Sequence, residues 1–360
     1  MPSLPGMRAG GFYDQHSTGQ RASIESVFDW IDALLPGIPR PTAAADRPFT
    51  MADYGCSEGG NSLRIVEHVA QQLAKQETPV PLWAIFNDLA TNNFNRLFEN
   101  LAAGNCLPAQ RSGLYHAAVA GSFYGPLLPP STVQFGLSFN SLVWMDQLPR
   151  AAVPDYIIYP GEHPRRAGIR VSLDAVAAFS AQARSDLTRF LHHRAAELTP
   201  GGKLLVCVPA RDGEHCVADG LYDVLHDACQ DMVRQGKLAE QAYRDFLMPV
   251  YFRRLDEMVD PVTADIELAK QLTIERAEIV YVDTPFARDF ERTGDNDAYA
   301  EALVGFLQAF SEPVVRAGLP ASPDFDLVAA IYDRARQRVR ENPEAYRFVY
   351  IQAACVYSRR

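Results

Sequence analysis

Short apolar runs alternate with stretches of helical periodicity along this 360-residue chain, and that alternation constrains the fold more than any other feature. A buried strand followed by a helix that returns the chain is the repeating unit of an α/β sheet. Runs with the length and composition of strands lie at residues 49–54, 82–87, 115–120, 132–138, 203–209, 278–283 and 347–357. The sequence therefore predicts a doubly wound, mostly parallel, seven-stranded sheet.

Helical patterns fill the connections between these runs. The segment 62–76 has one apolar face, and the segment 174–198 ends at a Pro-Gly-Gly turn that stops a helix before a strand. Residues 211–275 and 286–342 are longer than a simple crossover requires. We therefore expect an N-terminal segment and core at 1–210, a helical cap at 211–275, a core strand at 276–285, further cap and a crossover at 286–342, and a terminal core strand at 343–360.

Composition excludes several classes of partner. A formal charge of −10 and a pI near 5.3 argue against nucleic acid, which requires a concentrated basic surface. No apolar stretch has the length of a membrane span, and the first residues lack the pattern of a secretory signal. The six cysteines are widely spaced without a C-x-x-C pair, which indicates reduced thiols and no zinc site. We expect a cytoplasmic protein without a bound metal.

The stretch MADYGCSEGGNSL, at 51–63, ends a strand run in a turn. Asp53 stands at the carboxyl end of the run, and Gly55 and Gly59 permit a tight turn. Ser62 is placed to cap the next helix. Such a turn lets a ligand approach the main chain at the carboxyl edge of the sheet, although a purely structural turn has the same pattern. The G-x-G-x-x-G phosphate fingerprint is absent here, which disfavours a nicotinamide enzyme.

Two further stretches follow the next strands. Asp88 follows the second run, where a carboxylate can accept hydrogen bonds from both hydroxyls of a ribose, or can cap the following helix. Ser122 and Phe123, in GSFYGPLLPPSTV, can border an adenine ring, although an aromatic pair usually belongs to the core. An acid for an amine, an acid for a ribose and an aromatic wall together indicate S-adenosylmethionine.

These stretches resemble the SABATH methyltransferases, a family named for plant enzymes that act on salicylate, benzoate and theobromine and that has bacterial members. The resemblance covers nearly the whole chain. It is carried by YDQHSTGQ, ADYGCSEGGNSL, FNDLATNNFNRLF, GSFYG, SFNSLVWMDQLP, LTPGGKLLV, MPVY and SEP, in that order. It implies a Rossmann-like class I methyltransferase fold with a helical cap, and a homodimer like those common among the plant members.

The resemblance also implies roles for particular residues. The cofactor-binding positions correspond to Tyr13, Ser17, Asp53, Gly55, Asn61, Asp88, Leu89, Ser122 and Phe123. Gln20 and Trp144 correspond to the residues that tether the substrate carboxylate, through a side-chain amide and an indole N–H. Both are neutral donors, which suits a carboxylate that already is the nucleophile at neutral pH.

Departures from the family pattern bear on the substrate. Salicylate-type members carry a tyrosine and a histidine where this chain has Asn140 and Val143, which puts phenolic acids in doubt. The other pocket positions correspond to Leu221, Tyr222, Leu307 and Phe348. Because most of these are apolar and bacterial relatives methylate fatty acids, we expect a medium-chain fatty acid. The alternative is an aromatic acid such as benzoate, salicylate or an indole acid.

Other functions stay open at this point. A small-molecule N-methyltransferase is the alternative within the same chemistry, and the presence of both Gln20 and Trp144 favours a carboxylate over it. A catalytically silent protein that senses S-adenosylmethionine or an acid predicts tight cofactor binding without turnover. A nicotinamide oxidoreductase on a similar sheet predicts NAD binding and the glycine fingerprint that the chain lacks.

Overall fold

The computed structural model describes residues 7, 12, 16–41, 47–75, 80–104, 106, 112–153, 156–159 and 171–360. Within these ranges a single sheet of seven strands has the order β3-β2-β1-β4-β5-β7-β6. The strands are β1 (Phe49–Tyr54), β2 (Leu82–Asp88), β3 (Leu114–Ala120), β4 (Val133–Phe139), β5 (Leu198–Pro209), β6 (Leu272–Val282) and β7 (Tyr350–Arg359).

The strand pairing confirms a mostly parallel sheet. The neighbouring pairs among β1 to β5 are all parallel, and β7 is antiparallel to both β5 and β6. β5 starts directly at the end of a helix, and its pairing with β4 jumps from Val133–Leu198 to Phe135–Lys203. The Pro-Gly-Gly turn expected before this strand is therefore a bulge within it, where Gly201 has a φ of 74°.

Helices cover the sheet and extend beyond it. In the described ranges they are α1 (Thr18–Glu25), α2 (Phe28–Leu34), α3 (Gly60–Ala74), α4 (Phe94–Ala103), α5 (Leu173–Glu197), α6 (Leu221–Arg234), α7 (Glu240–Asp245), α8 (Leu255–Ala264), α9 (Ile266–Gln271), α10 (Pro285–Thr293), α11 (Asn296–Gly318) and α12 (Leu327–Glu341). Among the described residues no helix has the length and apolarity to span a membrane.

The two faces of the sheet belong to separate apolar clusters, as alternating side chains of buried strands require. Met51 and Phe135 pack on one face with residues of α1 to α4. Ala52 and Tyr54 point to the other face, where α5 and α8 pack. The carboxyl ends of β1, β2 and β4 therefore meet at one edge, between the helices of the two layers.

A group of helices outside the sheet layers packs together at this end of the molecule. α6, α11 and α12 contact one another, and Asp231 of α6 accepts hydrogen bonds from Arg334 at 2.6 Å and Arg338 at 2.7 Å on α12. The segment 211–275 is not all cap, however, because α8 and α9 pack against α5 and the sheet. Their apolar residues, including Met258 and Val262, are buried there. β6 also begins at Leu272, before the expected boundary at 276.

Candidate functional site

The loop after β1 turns sharply, as its glycines predict. Gly55 has a φ of 96° and Gly59 a φ of 82°, left-handed values that glycine adopts without strain. A Cβ atom on Gly55 would lie 2.0 Å from Oγ of Ser141, so the loop also lies close against the segment after β4. Gly55, which has no side chain, also contributes to the lining of a cavity.

Ser62 does not cap the following helix, contrary to expectation. α3 begins two residues earlier than expected, with Gly59 at the N-cap, so Ser62 lies within the first turn. Its buried hydroxyl lies 3.4 Å from the carbonyl oxygen of Cys56 and hydrogen-bonds to the carboxyl group of Asp53. The early start was hidden because Gly60 and Asn61 are weak helix formers.

Asp53 is a buried carboxyl group at the end of β1, with 5% of its surface exposed. Burial raises its pKa to about 6; the hydrogen bond from Ser62 acts against this, and the charge of Asp88 adds to it. No cationic side chain in the described ranges forms an ion pair with this carboxylate. A bound cation would favour its ionised form, so the site is suited to an ammonium group.

Asp88 braces the same loop from the end of β2. Its Oδ2 accepts the backbone N–H of Ser57 at 2.7 Å, and its Oδ1 accepts that of Leu89 at 2.7 Å. It does not cap the next helix, because α4 has Asn93 at its N-cap. Burial raises the pKa of the Asp88 carboxyl group. Each oxygen keeps a further lone pair for a ligand hydroxyl.

Ser122 and Phe123 lie in the loop after β3. Ser122 is exposed, and its Oγ accepts the backbone N–H of Tyr124 at 3.3 Å. The half-buried Phe123 ring makes an edge contact with Phe190 of α5, at 6.0 Å between centroids. A backbone N–H of Gly121 donates to the carbonyl of Asp88 at 2.8 Å, which ties this loop to the end of β2.

A buried ion pair holds the same loop in place, and it was not predicted from the sequence. Arg194 of α5 donates to the carbonyl oxygens of Phe123 at 2.8 Å and Gly125 at 2.9 Å, and to Glu197 at 2.7 Å. Oε1 of Glu197 accepts the backbone N–H of Leu127 at 2.8 Å. The only available signal was the i, i+3 spacing of two charges in an apolar helical segment, which ordinarily indicates a solvated pair.

The N-terminal residues approach this edge from the cap side. Ser17 is buried before α1, and Asn61 Nδ2 donates to its hydroxyl at 3.2 Å. Gln20, in α1, is 5% exposed. Gly19 allows close packing, because a Cβ atom there would lie 2.7 Å from the Phe306 ring of α11. Tyr13, the remaining N-terminal candidate, lies outside the described residues.

One cavity brings several of these candidates together. Its lining residues are Gln20, Ile24, Asp53, Gly55, Cys56, Ser57, Asn61, Ser62, Ile65, Phe139 and Asn140. Three buried polar atoms, Gln20 Oε1, Ser57 Oγ and Asn61 Oδ1, have no hydrogen-bond partner in the described part of the chain. Buried polar atoms usually have partners, so these fit a polar ligand. With an anionic Asp53 and bare backbone at Gly55, the lining suits the methionine part of S-adenosylmethionine.

The expected acid-side residues Val143 and Trp144 are not part of this lining. Trp144 is half-buried; its backbone carbonyl accepts the hydroxyl of Tyr124 at 2.6 Å, and the residue forms a bridge to Val250. Val143 is buried beside it in the apolar core. The structure therefore joins Gln20 and Asn140 in one cavity and leaves Trp144 outside that lining.

The remaining candidates for the substrate pocket are Leu221, Tyr222, Leu307 and Phe348. All four are buried in the same apolar cluster. A Cβ atom on Gly220 would lie 2.4 Å from the carbonyl oxygen of Arg347, so the start of α6 nearly touches the segment before β7. Aromatic rings that were not predicted as pocket residues pack against two of them. The ring centroid of Phe306 lies 5.7 Å from that of Phe348, and the centroid of Phe252 lies 5.6 Å from that of Tyr222.

A family model described as "SAM dependent carboxyl methyltransferase" matches residues 8–360. The chain belongs to this family. S-Adenosylmethionine is therefore its cofactor, and the SABATH resemblance and the expected class I fold are confirmed.

Individual relatives agree with this assignment. "Indole-3-acetate O-methyltransferase 1" of Oryza sativa subsp. japonica is 29% identical over 98% of this chain and 91% of its own length. The Arabidopsis thaliana protein of the same name is 30% identical over 73% of this chain and 72% of its own length. The solved structure "Loganic acid methyltransferase with SAH" is similar with a TM-score of 0.79 at 22% identity, over 99% of this chain and 98% of that one. That likeness supports the fold.

Proposed function

We propose that this carboxyl methyltransferase methylates a carboxylate oxygen of a small hydrophobic acid, a medium-chain fatty acid in the first instance. The products are a methyl ester and S-adenosylhomocysteine. The observation that carries the proposal is the cavity in which the Gln20 amide lies with Asp53, Gly55 and Asn61. A neutral amide donor thus shares one space with the groups suited to the cofactor.

In this proposal the chain holds its cofactor with groups from three strand ends. Asp53 receives the ammonium group, Asp88 the ribose hydroxyls, and the Ser122–Phe123 segment borders the adenine. Tyr13, Ser17, Asn61 and Leu89 complete the set that the family resemblance implies. When bound, S-adenosylmethionine supplies an electrophilic methyl group. Raised pKa values at Asp53 and Asp88 support this arrangement, because both carboxylates would gain from a cationic or donor ligand.

The chain needs no general base for this reaction. A carboxylic acid with a reference pKa of about 4.3 is ionised at neutral pH. The Gln20 amide and the Trp144 indole are proposed to aim one carboxylate oxygen, and burial of Gln20 supports this by excluding water. Such positioning can contribute roughly 7–11 kcal/mol to the rate. Neutral donors suit it, since a full positive charge would stabilise the carboxylate before the reaction.

The preference for an aliphatic chain rests on aliphatic side chains at the pocket positions that the family resemblance implies. Val143, Leu221 and Leu307 are buried aliphatic residues of one apolar cluster. Each buried methylene contributes about 0.8 kcal/mol, roughly a fourfold change in affinity. We therefore expect a graded optimum of chain length.

An aromatic acid is the second candidate substrate, and a group of aromatic side chains around Tyr222 and Phe348 favours it. Tyr222 and Phe348 are joined there by Phe252, Phe306 and Phe310, with centroid separations of 5.5–6.1 Å between neighbours. Aromatic rings pack well on one another at such distances. Two similar plant proteins are also named for indole-3-acetate.

Two lesser expectations accompany the function. All six cysteines are buried free thiols, which supports our proposal of a reducing, cytoplasmic location. The homodimer implied by the resemblance stays a prediction, and light scattering in solution checks it.

A panel of acids distinguishes the two substrate candidates. The purified protein is assayed with S-adenosylmethionine and octanoate through palmitate, benzoate, salicylate and indole-3-acetate. We expect methyl esters whose kcat/KM peaks at one fatty-acid length. A higher kcat/KM for an aromatic acid would overturn the aliphatic assignment, and turnover of none of the acids would count against the whole proposal.

A further inference from the structure

A buried polar network lies next to Gln20, where α1, the end of β4 and β7 meet. Ser23, one turn after Gln20 on α1, and Gln352 of β7 are both fully buried. Gln352 Nε2 donates to the carbonyl oxygen of Ser23 at 3.1 Å and to Oγ of Ser26 at 3.0 Å. The network therefore anchors the helix that carries Gln20 to the last core strand.

The directions of the hydrogen bonds in this network can be assigned. A carbonyl oxygen only accepts, so the Gln352 nitrogen must face Ser23 O, and Gln352 Oε1 then accepts the Ser23 hydroxyl proton. Tyr350, two residues earlier on β7, donates its hydroxyl to Asn140 Oδ1 at 2.7 Å. The hydroxyl oxygen of Ser23 lies 3.3 Å from the same Asn140 oxygen.

Asn140 Oδ1 thus faces two hydroxyl groups, those of Tyr350 and Ser23. With Oδ1 held by Tyr350, the Nδ2 group points away from that hydroxyl, and Asn140 lines the same cavity as Gln20. Its backbone has a φ of 61°, a left-handed conformation that asparagine tolerates better than most residues. The turn after β4 therefore places the Asn140 side chain in the lining of the same cavity as Gln20.

We propose that Asn140 Nδ2 donates a hydrogen bond to the carboxylate of the acid, together with Gln20, and that Tyr350 is the positioning residue that orients it. This rests on the proposed function and deepens it. An amide donor at this position distinguishes this chain from the salicylate-type members, which carry a tyrosine there. It also gives the carboxylate a second amide within the cavity, whose lining does not include Trp144.

Two ligands that differ only by a methyl group and a charge separate this role from a structural one. Calorimetry on protein saturated with S-adenosylhomocysteine measures the affinity for the best acid of the panel and for its methyl ester, which lacks the charge. Asn140→Asp keeps the acceptor for Tyr350 and the tolerance of a positive φ, but it replaces the Nδ2 donor with an oxygen and adds a negative charge that repels the acid. We expect this variant to bind the acid about ten- to a hundredfold more weakly and the ester within about twofold of wild type.

Tyr350→Phe tests the positioning role. It leaves the Asn140 donor in place but frees the amide to rotate, so we expect a smaller loss of acid affinity, about three- to tenfold, again without an effect on the ester. Affinity for S-adenosylhomocysteine is measured first for every variant, so that acid and ester affinities are compared at saturation.

Three results would overturn the inference. Asn140→Asp could bind the acid as tightly as wild type, or could lose acid and ester affinity equally, as a purely structural role predicts. Tyr350→Phe could leave acid affinity unchanged, which would remove its positioning role. If the wild-type protein bound no acid of the panel, the proposed function would fail and this inference with it, so the two failures are distinguishable.

Discussion

The carboxyl group of Asp53 lies at the buried end of β1, where its pKa is about 6. Its position and that of Asp88 followed from the sequence, because parallel strands end at one edge of a sheet. Tyr350 and Gln352 could not be predicted in the same way. They contact Asn140 and Ser23 across separations of 210 and 329 residues, and such contacts leave no local pattern.

Cofactor affinity should depend on the ionisation of Asp53. A bound ammonium group favours the carboxylate, so binding below pH 6 must first remove a proton from this residue. We expect the affinity for S-adenosylhomocysteine to be nearly constant above pH 7 and to fall by up to tenfold per pH unit below 6, as measured by calorimetry. Asp53→Asn should bind more weakly with a flatter pH profile. An unchanged profile in that variant would assign the titration to another group, such as Asp88.

Trp144 should act on the acid and not on the cofactor. Trp144→Phe keeps an aromatic ring but removes the indole N–H together with part of the ring surface. We expect kcat/KM for the acid to fall about tenfold or more, the usual effect of losing a hydrogen bond to a charged group, with unchanged affinity for S-adenosylhomocysteine. Wild-type kinetics in this variant would remove the tether role.

Strands and helices were the most predictable level of this molecule. All seven expected strands are present, because apolar runs and helical periods report burial directly. The ends of these elements were predicted less accurately, since α3 starts at Gly60, earlier than expected. The packing of α8 also differs from the prediction, because this helix packs on the sheet although its segment was expected to belong to the cap. Periodicity gives the apolar face of a helix but not the partner that covers it.

The buried pair of Arg194 and Glu197 should stabilise the loop after β3. Arg194→Met removes the donors to Phe123 and Gly125 and leaves Glu197 as a buried charge without its cation. We expect the free energy of unfolding to fall by about 3–5 kcal/mol, measured with urea, and cofactor affinity to fall with it.

The double variant Arg194→Met/Glu197→Gln is the matched comparison. It keeps an acceptor for the Leu127 backbone N–H but removes the buried charge. It should therefore recover part of the stability lost in Arg194→Met. A double variant less stable than the single one would show that the charge of Glu197 is stabilising without Arg194.

At the scale of the whole molecule, the N-terminal segment packs closely against the cap helix α11. Cβ atoms on Gly19 and Gly305 would lie 2.7 Å from Phe306 and 2.6 Å from His16. Gly19 and Gly305 therefore allow the N-terminal segment and α11 to approach each other closely. The sequence contained both residues, but nothing in it indicated that they face each other's segments.

Substitution at Gly19 tests this close packing. Gly19→Ala drives a methyl group into the buried Phe306 ring, and we expect a loss of about 1–3 kcal/mol in unfolding free energy with weaker acid binding. Phe306→Leu in the same chain should restore part of both. Gly213→Ala is the control, since a Cβ atom there meets nothing within 4 Å. Equal effects of the two alanine substitutions would refute the steric argument.

The central claim is that the chain esterifies a carboxylate. The most direct test uses S-adenosylmethionine with a labelled methyl group and the best acid of the panel, followed by mild alkali on the isolated product. The account predicts an extractable product that releases all of its label as methanol, since alkali cleaves a methyl ester. Label that resists alkali, as in an N-methylated amine, or no labelled product from any acid would contradict it.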